Sequence, residues 1–339
     1  MRRLLAGIAA VAFLSGAALA EAPYRLQYQA KLPGDGGWDY VSFDPGRGLV
    51  FVGRPGGVLA AAAVDGALVG RIGSDRGNHG AAPADGIDRV FTSDSDASAI
   101  GVYALSTLRR LQTIKLASEP DALLYDAARK WLVVMSRRGN GVIVVDALQG
   151  QVLRTIAMGS PVEAAAIDDS GQLFVDLPER NEVARVDLAG TITARWPTAP
   201  CQDPSSLALD RITHRLFVGC RNKLLAFLDA ESGAVLATAP IGGGSDTMVF
   251  DANRHMAISA NGEGFVSVAP ELSASRIGPT ATLPTAMAAR TMAEDPATGR
   301  LFLVTADIAS IDPLQPGQRY PVTHYVPGTF RLLAYAPVK

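Results

Sequence analysis

The sequence predicts an all-β fold, a seven-bladed β-propeller whose last blade is closed by the N-terminal strand. The first observation behind this is a unit that recurs along the chain. An apolar-alternating run ends on Asp or a close equivalent and a turn, and a second run follows. A loop leads to a third run that closes on an Asp…Gly turn, and then comes a fourth. The first runs are "WDYVSFD", "HGAAPAD", "PDALLYD", "VEAAAID", "PSSLALD", "SDTMVFD" and "ARTMAED". The second runs include "GLVFVGR", "DRVFTSD", "KWLVVMS", "HRLFVGC" and "GRLFLVT", and the third include "GVIVVDALQG" and "LLAFLDAESG". Taking the residue five before the end of each first run, and six before it in the second, gives Asp39, His79, Asp121, Glu163, Ser205, Asp246 and Arg290, separated by 40, 42, 42, 42, 41 and 44 positions. The second observation is strand chemistry. Each unit holds four short β-branched or aromatic runs bounded by Gly, Pro and Asp, which is the pattern of a propeller blade and not of a helical solenoid. The third lies at the two ends. The last unit stops one strand short after "TFRLLAYAP", while "YRLQYQAKLP" (24–33) precedes the first unit with no blade of its own. Pairing these two would close the ring and remove two exposed sheet edges.

Before the first strand, residues 1–20 are expected to be a secretory signal. Arg2 and Arg3 form a basic start, "LLAGIAAVAFL" an apolar core and "ALA" a small-residue cleavage site. A core that runs straight into a cleavage site favours removal after Ala20 over a retained anchor. The Arg pair lacks twin-arginine flanks, and no Cys follows the cut, which argues against a lipoprotein. No later apolar run is long enough to cross a bilayer. The expectation is a periplasmic or secreted protein, with residues 21–339 forming one propeller domain. Removing Arg2 and Arg3 leaves 29 Lys and Arg against 33 Asp and Glu, a formal charge of −4. That balance opposes sequence-independent binding to nucleic acid, which depends on a basic surface.

Blade by blade, the second blade departs most from the pattern, because Pro83 lies inside its first run and weakens the innermost strand there. At the fifth, Cys201 precedes the first strand and Cys220 ends the second. These strands are antiparallel neighbours, so the two cysteines are predicted to meet in a disulfide, favoured by an oxidising compartment. In the last blade, residues 306–329 form a long Pro-containing loop between the second and third strands. It carries Arg319, Tyr320, His324 and Tyr325 and is a candidate lid.

"GGWDYVSFDP", "PDALLYD", "CQDPSSLALD…HRLFVGCRNKL", "ARTMAEDPATGRLFLVTA" and the closing "VPGTFRLLAY" resemble segments of the YVTN-type β-propeller repeat family, and specifically its exported YncE-like members. The resemblance covers residues 24–339 and implies the propeller fold. It implies no particular reaction, because the family has no settled shared one.

Each innermost strand starts on one face of the disc, so the seven periodic residues should ring one mouth of the channel. As a set they are a polar site. His79 with Asp39, Asp121 and Glu163 could hold a divalent metal, since carboxylates and imidazole are its ligands. Asp246 and Arg290 complete the ring, with Arg290 a candidate anion site. A wet channel mouth also explains polar residues with no ligand at all. His214 and His255 start second strands on the opposite face and are expected to be surface residues, and Asn261 a turn residue. The chain has no C-x-x-C-H for haem, no phosphate-cradling glycine loop and no G-x-S-x-G elbow. The leading functional reading is a binding or scaffold protein for a protein partner or small ligand. The alternative is a metal-assisted hydrolase or lyase with His79 as base.

Overall fold

A carboxylate turn marks the first corner of nearly every blade. Asp44, Asp126, Asp168, Asp210, Asp251 and Asp295 end or follow the innermost strands, and each accepts a backbone N–H from the turn it opens. The distances run from Asp168 to Gln172 N at 2.8 Å to Asp295 to Ala297 N at 3.1 Å. Such Asx-type bonds satisfy turn donors that strand pairing leaves free. Asp146 and Asp229 do the same after the third strands of blades three and five.

The structure is a computed structural model that describes residues 23–74, 76–187, 189–315 and 321–338. The expected signal at 1–20 lies outside the described residues, as do Arg319 and Tyr320 of the long loop. Among the described residues there is no α-helix, and no helix is long and apolar enough to cross a membrane. The strands form seven antiparallel blades, and in the first six the strands wind outward from the channel in chain order. The seventh blade runs Met292–Asp295, Arg300–Thr305, Arg331–Pro337 and, outermost, Tyr24–Lys31. Tyr24 pairs with Pro337 and Lys31 with Arg331, so the N-terminal strand closes the ring. Leu32 N–H to Phe330 O (2.9 Å) extends that clasp, and the Thr291 hydroxyl ties blade seven to blade one through Asp39 O (2.8 Å).

The core consists of layers between blades. Side chains alternate across each strand, so Val50 and Val52 face Phe302 and Val304 of blade seven, while Phe51 faces Val90 and Tyr103 of blade two. Five further layers repeat this arrangement around the ring. Second and third strands lie between neighbours on both faces and read as apolar runs. Outer strands such as Arg110–Lys115 are mostly exposed. The third position of the second strand is Phe51, Phe91, Phe217 or Phe302 in four blades, and Phe174 is the second residue of that strand in blade four; all five are almost completely buried. Cutting one of these to Ala would cost about 3–5 kcal/mol.

Pro83 does not abolish its strand: Ala81–Ala84 forms, with Pro83 opposite Val90. An innermost strand is a sheet edge, so the donor that proline lacks faces the channel and not the ladder. The 306–329 segment corrects the expectation of a structureless loop. It contains a small hairpin, Ile308–Ile311 paired with Thr323–Tyr325. Cys201 and Cys220 form a disulfide with Cα atoms 5.6 Å apart, both fully buried.

Candidate functional site

The innermost strands deliver the periodic residues to the mouth, and the backbone there is held by two alternative devices. In blades one and three the ring residue pairs through its own amide: Asp39 N–H bonds Gly53 O and Asp121 N–H bonds Met135 O, both at 2.9 Å. In blades two and four a side chain does this. Ser93 Oγ accepts His79 N–H (3.3 Å) and Gly80 N–H (3.1 Å), and Asp176 Oδ1 accepts Glu163 N–H (3.1 Å) and Ala164 N–H (2.7 Å).

On one side of the mouth, His79 stands between two carboxylates. Its Nδ1 lies 2.7 Å from Asp39 Oδ2 and 3.3 Å from Asp121 Oδ1, and its Nε2 lies 3.2 Å from Ser95 Oγ. Burial opposes a charge on this imidazole, but the bond with Asp39 and the charges of Asp121 and Asp39 overcome it and raise its pKa to about 9. His79 is therefore an imidazolium at neutral pH. Burial raises the Asp121 carboxyl above the usual range, with His79 pulling the other way.

The other side consists of arginine–carboxylate pairs. Glu163 pairs with Arg137, and Asp246 with Arg290 and, at 3.5 Å, with Arg221. Arg290 also donates to Trp38 O (3.2 Å), with its guanidinium 5.7 Å from the centre of the Trp38 ring. Each ring carboxylate thus has a cationic partner, which answers the mutual repulsion that a ring of four acids would suffer.

Of the residues grouped from sequence as metal ligands, the structure joins Asp39, His79 and Asp121, with one ligand atom of each within 4.8 Å of the others. Glu163 stands outside that cluster because Arg137 holds it. Ser205 is not a mouth ligand: its buried hydroxyl donates to Ser245 O at 2.7 Å. Ser206, Ser245, Ser259 and Asn261 continue as a buried side-chain chain at 2.7, 2.8 and 3.0 Å. Asn261 is therefore the fully buried last residue of a strand, and not a turn residue.

The hairpin of blade seven arches over the arginine side. Tyr325 packs on Trp38 (centroids 4.8 Å), and Trp38 stacks on Phe330 (5.7 Å). Gly328 N–H bonds Asp35 Oδ1 (2.7 Å), which fastens the hairpin to the linker that enters blade one. Gly36, at φ 46°, passes so close beneath Tyr325 that a Cβ would meet the ring at 2.8 Å. His324 bonds Asp312 within the hairpin (2.9 Å) and lines neither mouth cavity.

Two cavities share Asp39. One, of about 680 Å³, is lined by Trp38, His79, Asp121 and Arg138. The other, of about 460 Å³, has Glu163, Asp246 and Arg290 below and Ile308, Ile311 and Tyr325 above. Tyr40 projects from blade one against the layer between blades three and four, crossing the channel. Arg137, Arg221, Trp38 and Tyr40 were missed from sequence. The two arginines carried a signal, since each directly follows a second strand where the chain returns to the mouth. On the opposite face His214 and His255 are exposed, as expected.

No protein-family model matches the chain, and no curated protein matches its sequence. Solved structures do match in shape. A chain of the mitotic checkpoint complex is 15% identical, with a TM-score of 0.73, over 96% of this chain and 99% of that one. The WD40 repeats of RRP9 are 10% identical, with a TM-score of 0.76, over 93% and 100%. U3-55K is 10% identical, with a TM-score of 0.74, over 91% and 98%. At such identities the likeness is one of fold: this chain is a seven-bladed β-propeller with WD40-repeat structural neighbours.

Proposed function

We propose that this protein is an exported, periplasmic propeller of the YVTN type, akin to YncE-like proteins, that binds a segment of a protein partner at its lidded mouth. The propeller is a scaffold typical of protein-interaction domains. The observation that carries the reading is the hairpin over the charged floor. Asp246, Glu163 and Arg290 offer fixed charges below, while Ile308, Ile311 and Tyr325 offer an apolar roof. A segment with one charged group beside an apolar side chain matches both surfaces at once. Ile311, Leu314, Val322 and Val326 of the same hairpin are largely exposed, which widens the apolar surface outward.

The test is a photo-crosslinking amino acid placed at Ile311, and separately at His214 on the opposite face, in cells that make the full chain. A discrete protein adduct from Ile311, lost on Arg290→Ala, supports the reading. Adducts from His214 alone, or a small molecule retained at the mouth in native mass spectra with no protein adduct, overturn it. A mature N-terminus at Glu21 in the periplasmic fraction is the accompanying expectation for export.

A second reading has its own observation. The Asp39–His79–Asp121 cluster offers two oxygens and a nitrogen to a divalent cation, the donor set of first-row metals. Such an ion would displace the His79 proton and supply Lewis-acid chemistry to the larger cavity. Metal content of protein purified without chelator, compared with His79→Ala, decides it: equal content in both excludes this site.

A further inference from the structure

Blade six breaks the repeat on the face opposite the mouth. In blades one, two, three and five, the residue after the third strand donates its backbone N–H to the residue that precedes the second strand. Ala63 bonds Gly48, Leu105 bonds Asp88, Ala147 bonds Lys130 and Ala230 bonds His214. Each of these donors is a buried apolar side chain. In blade six the same bond runs from Glu271 N–H to His255 O at 2.7 Å. A carboxylate therefore stands in the slot where those four blades bury alanine or leucine, and it is only 8% exposed.

Its surroundings do not satisfy it. The Thr213 hydroxyl lies 2.8 Å from Glu271 Oε1 and 2.6 Å from Asp210 Oδ2. A hydroxyl has one proton to donate, so it can serve only one of the two carboxylates. Glu271 Oε2 is buried with no hydrogen-bond partner. Asp210 is also buried, with its other oxygen accepting Ile212 N–H. Arg215 is the nearby cation, but its guanidinium is engaged by Asp229 (2.8 Å), His214 O (2.8 Å) and Ala274 O. Exposed His255 stands at the rim, and one ligand atom each from Asp210, His255 and Glu271 lies within 4.8 Å of the others. Two buried carboxylates side by side, one with an orphaned oxygen, need either a proton shared between them or a shared cation. An imidazole beside them selects a first-row divalent ion over Mg²⁺ or Ca²⁺.

We propose that Asp210, His255 and Glu271 bind a first-row divalent cation such as Zn²⁺, which ties blade five to blade six on the face opposite the mouth. Asp210 comes from blade five and the other two ligands from blade six. The Thr213 hydroxyl then donates to one carboxylate, and the metal takes the remaining oxygens.

The experiment uses the full mature chain carrying His79→Ala, which removes the mouth cluster, stripped with chelator and titrated with ZnCl₂. Calorimetry should show one saturable equivalent, and thermal unfolding a rise in Tm. Two further variants are made in that background. Glu271→Ala restores the residue type of blades one, three and five, so it should fold normally without metal. His255→Asn changes an exposed side chain and tolerates the left-handed backbone at φ 53°. Each should weaken Zn²⁺ binding at least tenfold and remove the Tm rise. Unchanged Zn²⁺ affinity in both variants, or no saturable binding in their parent, overturns the proposal.

Discussion

Replacing Asp176 by Asn probes the electrostatics of the mouth at its most enclosed carboxylate. Asp176 is completely buried in the second strand of blade four. One oxygen caps Glu163 and Ala164, and the other is buried with no partner. Ser93 performs the same capping in blade two with a neutral hydroxyl, so the position requires an acceptor and not a charge. Burial pushes the Asp176 pKa from 3.8 to about 8, against the Ala164 hydrogen bond and the attraction of Arg137. A carboxyl raised on folding favours the protonated native state. Its contribution is complete below the unfolded-state pKa near 4 and is lost as pH rises toward 8. At about 1.4 kcal/mol per pKa unit, four units amount to roughly 5 kcal/mol. Asparagine keeps the capping oxygen and carries no charge at any of these pH values. Wild type and Asp176→Asn should therefore melt together near pH 4 and diverge steadily above it. At about 2 °C per kcal/mol for a domain this large, the variant should melt roughly 10 °C higher at pH 8. The assay is thermal unfolding by circular dichroism from pH 4 to 8. Superimposable curves, or a variant that is less stable at pH 8, would refute the reasoning.

Other expectations follow from the same geometry. The Cys201–Cys220 bridge spans 19 positions, so replacing both by Ser should cost about 3 kcal/mol in the chain-entropy model. Two free thiols by alkylation and mass measurement of unreduced, unfolded protein would contradict the bridge. A chain starting at Asp35 lacks the strand that pairs with Arg331–Pro337, and it should lose cooperative unfolding. A melt matching that of a chain starting at Glu21 would show that ring closure is dispensable. By NMR the His79 imidazole should titrate near 9, and Asp39→Asn should move it down. Because His79 is raised above its free value of 6.5, its contribution to stability is full below that pH and fades as pH climbs through 9. A titration midpoint at or below 6.5 would remove the imidazolium from the mouth.

The legible part of this protein was its periodic part. The Asp-led turns and the Phe at the third position of second strands recur because each blade meets the same neighbours, so the blade pattern could be read by eye. The orphan strand at 24–33 could be assigned because a ring has no free edge to spare. The cysteine pair could be assigned because antiparallel neighbours bring the start of one strand beside the end of the next. The hairpin within 306–329 was not legible, since "IASI" and "THY" are too short to separate from loop. Nor was Glu271, whose oddity emerges only when its backbone bond to His255 is aligned with those of Ala63, Ala147 and Ala230.

What the sequence determined by itself is therefore the fold, the blade count and the seven residues that lie at, or two positions before, the starts of the innermost strands. These follow from alternation and turn chemistry, which are local properties of a few consecutive residues. Which of those seven act together was decided only by the tertiary structure. A spacing of about 40 residues places Asp39, His79, Asp121 and Glu163 on one rim with equal right to a shared site. Side-chain reach then separates them, because His79 bridges Asp39 and Asp121 while Arg137, returning on the second strand of blade three, captures Glu163. Equal steps along the chain set where each backbone arrives. The charge that meets each side chain comes from strands tens of residues away, and only the closed ring brings it there.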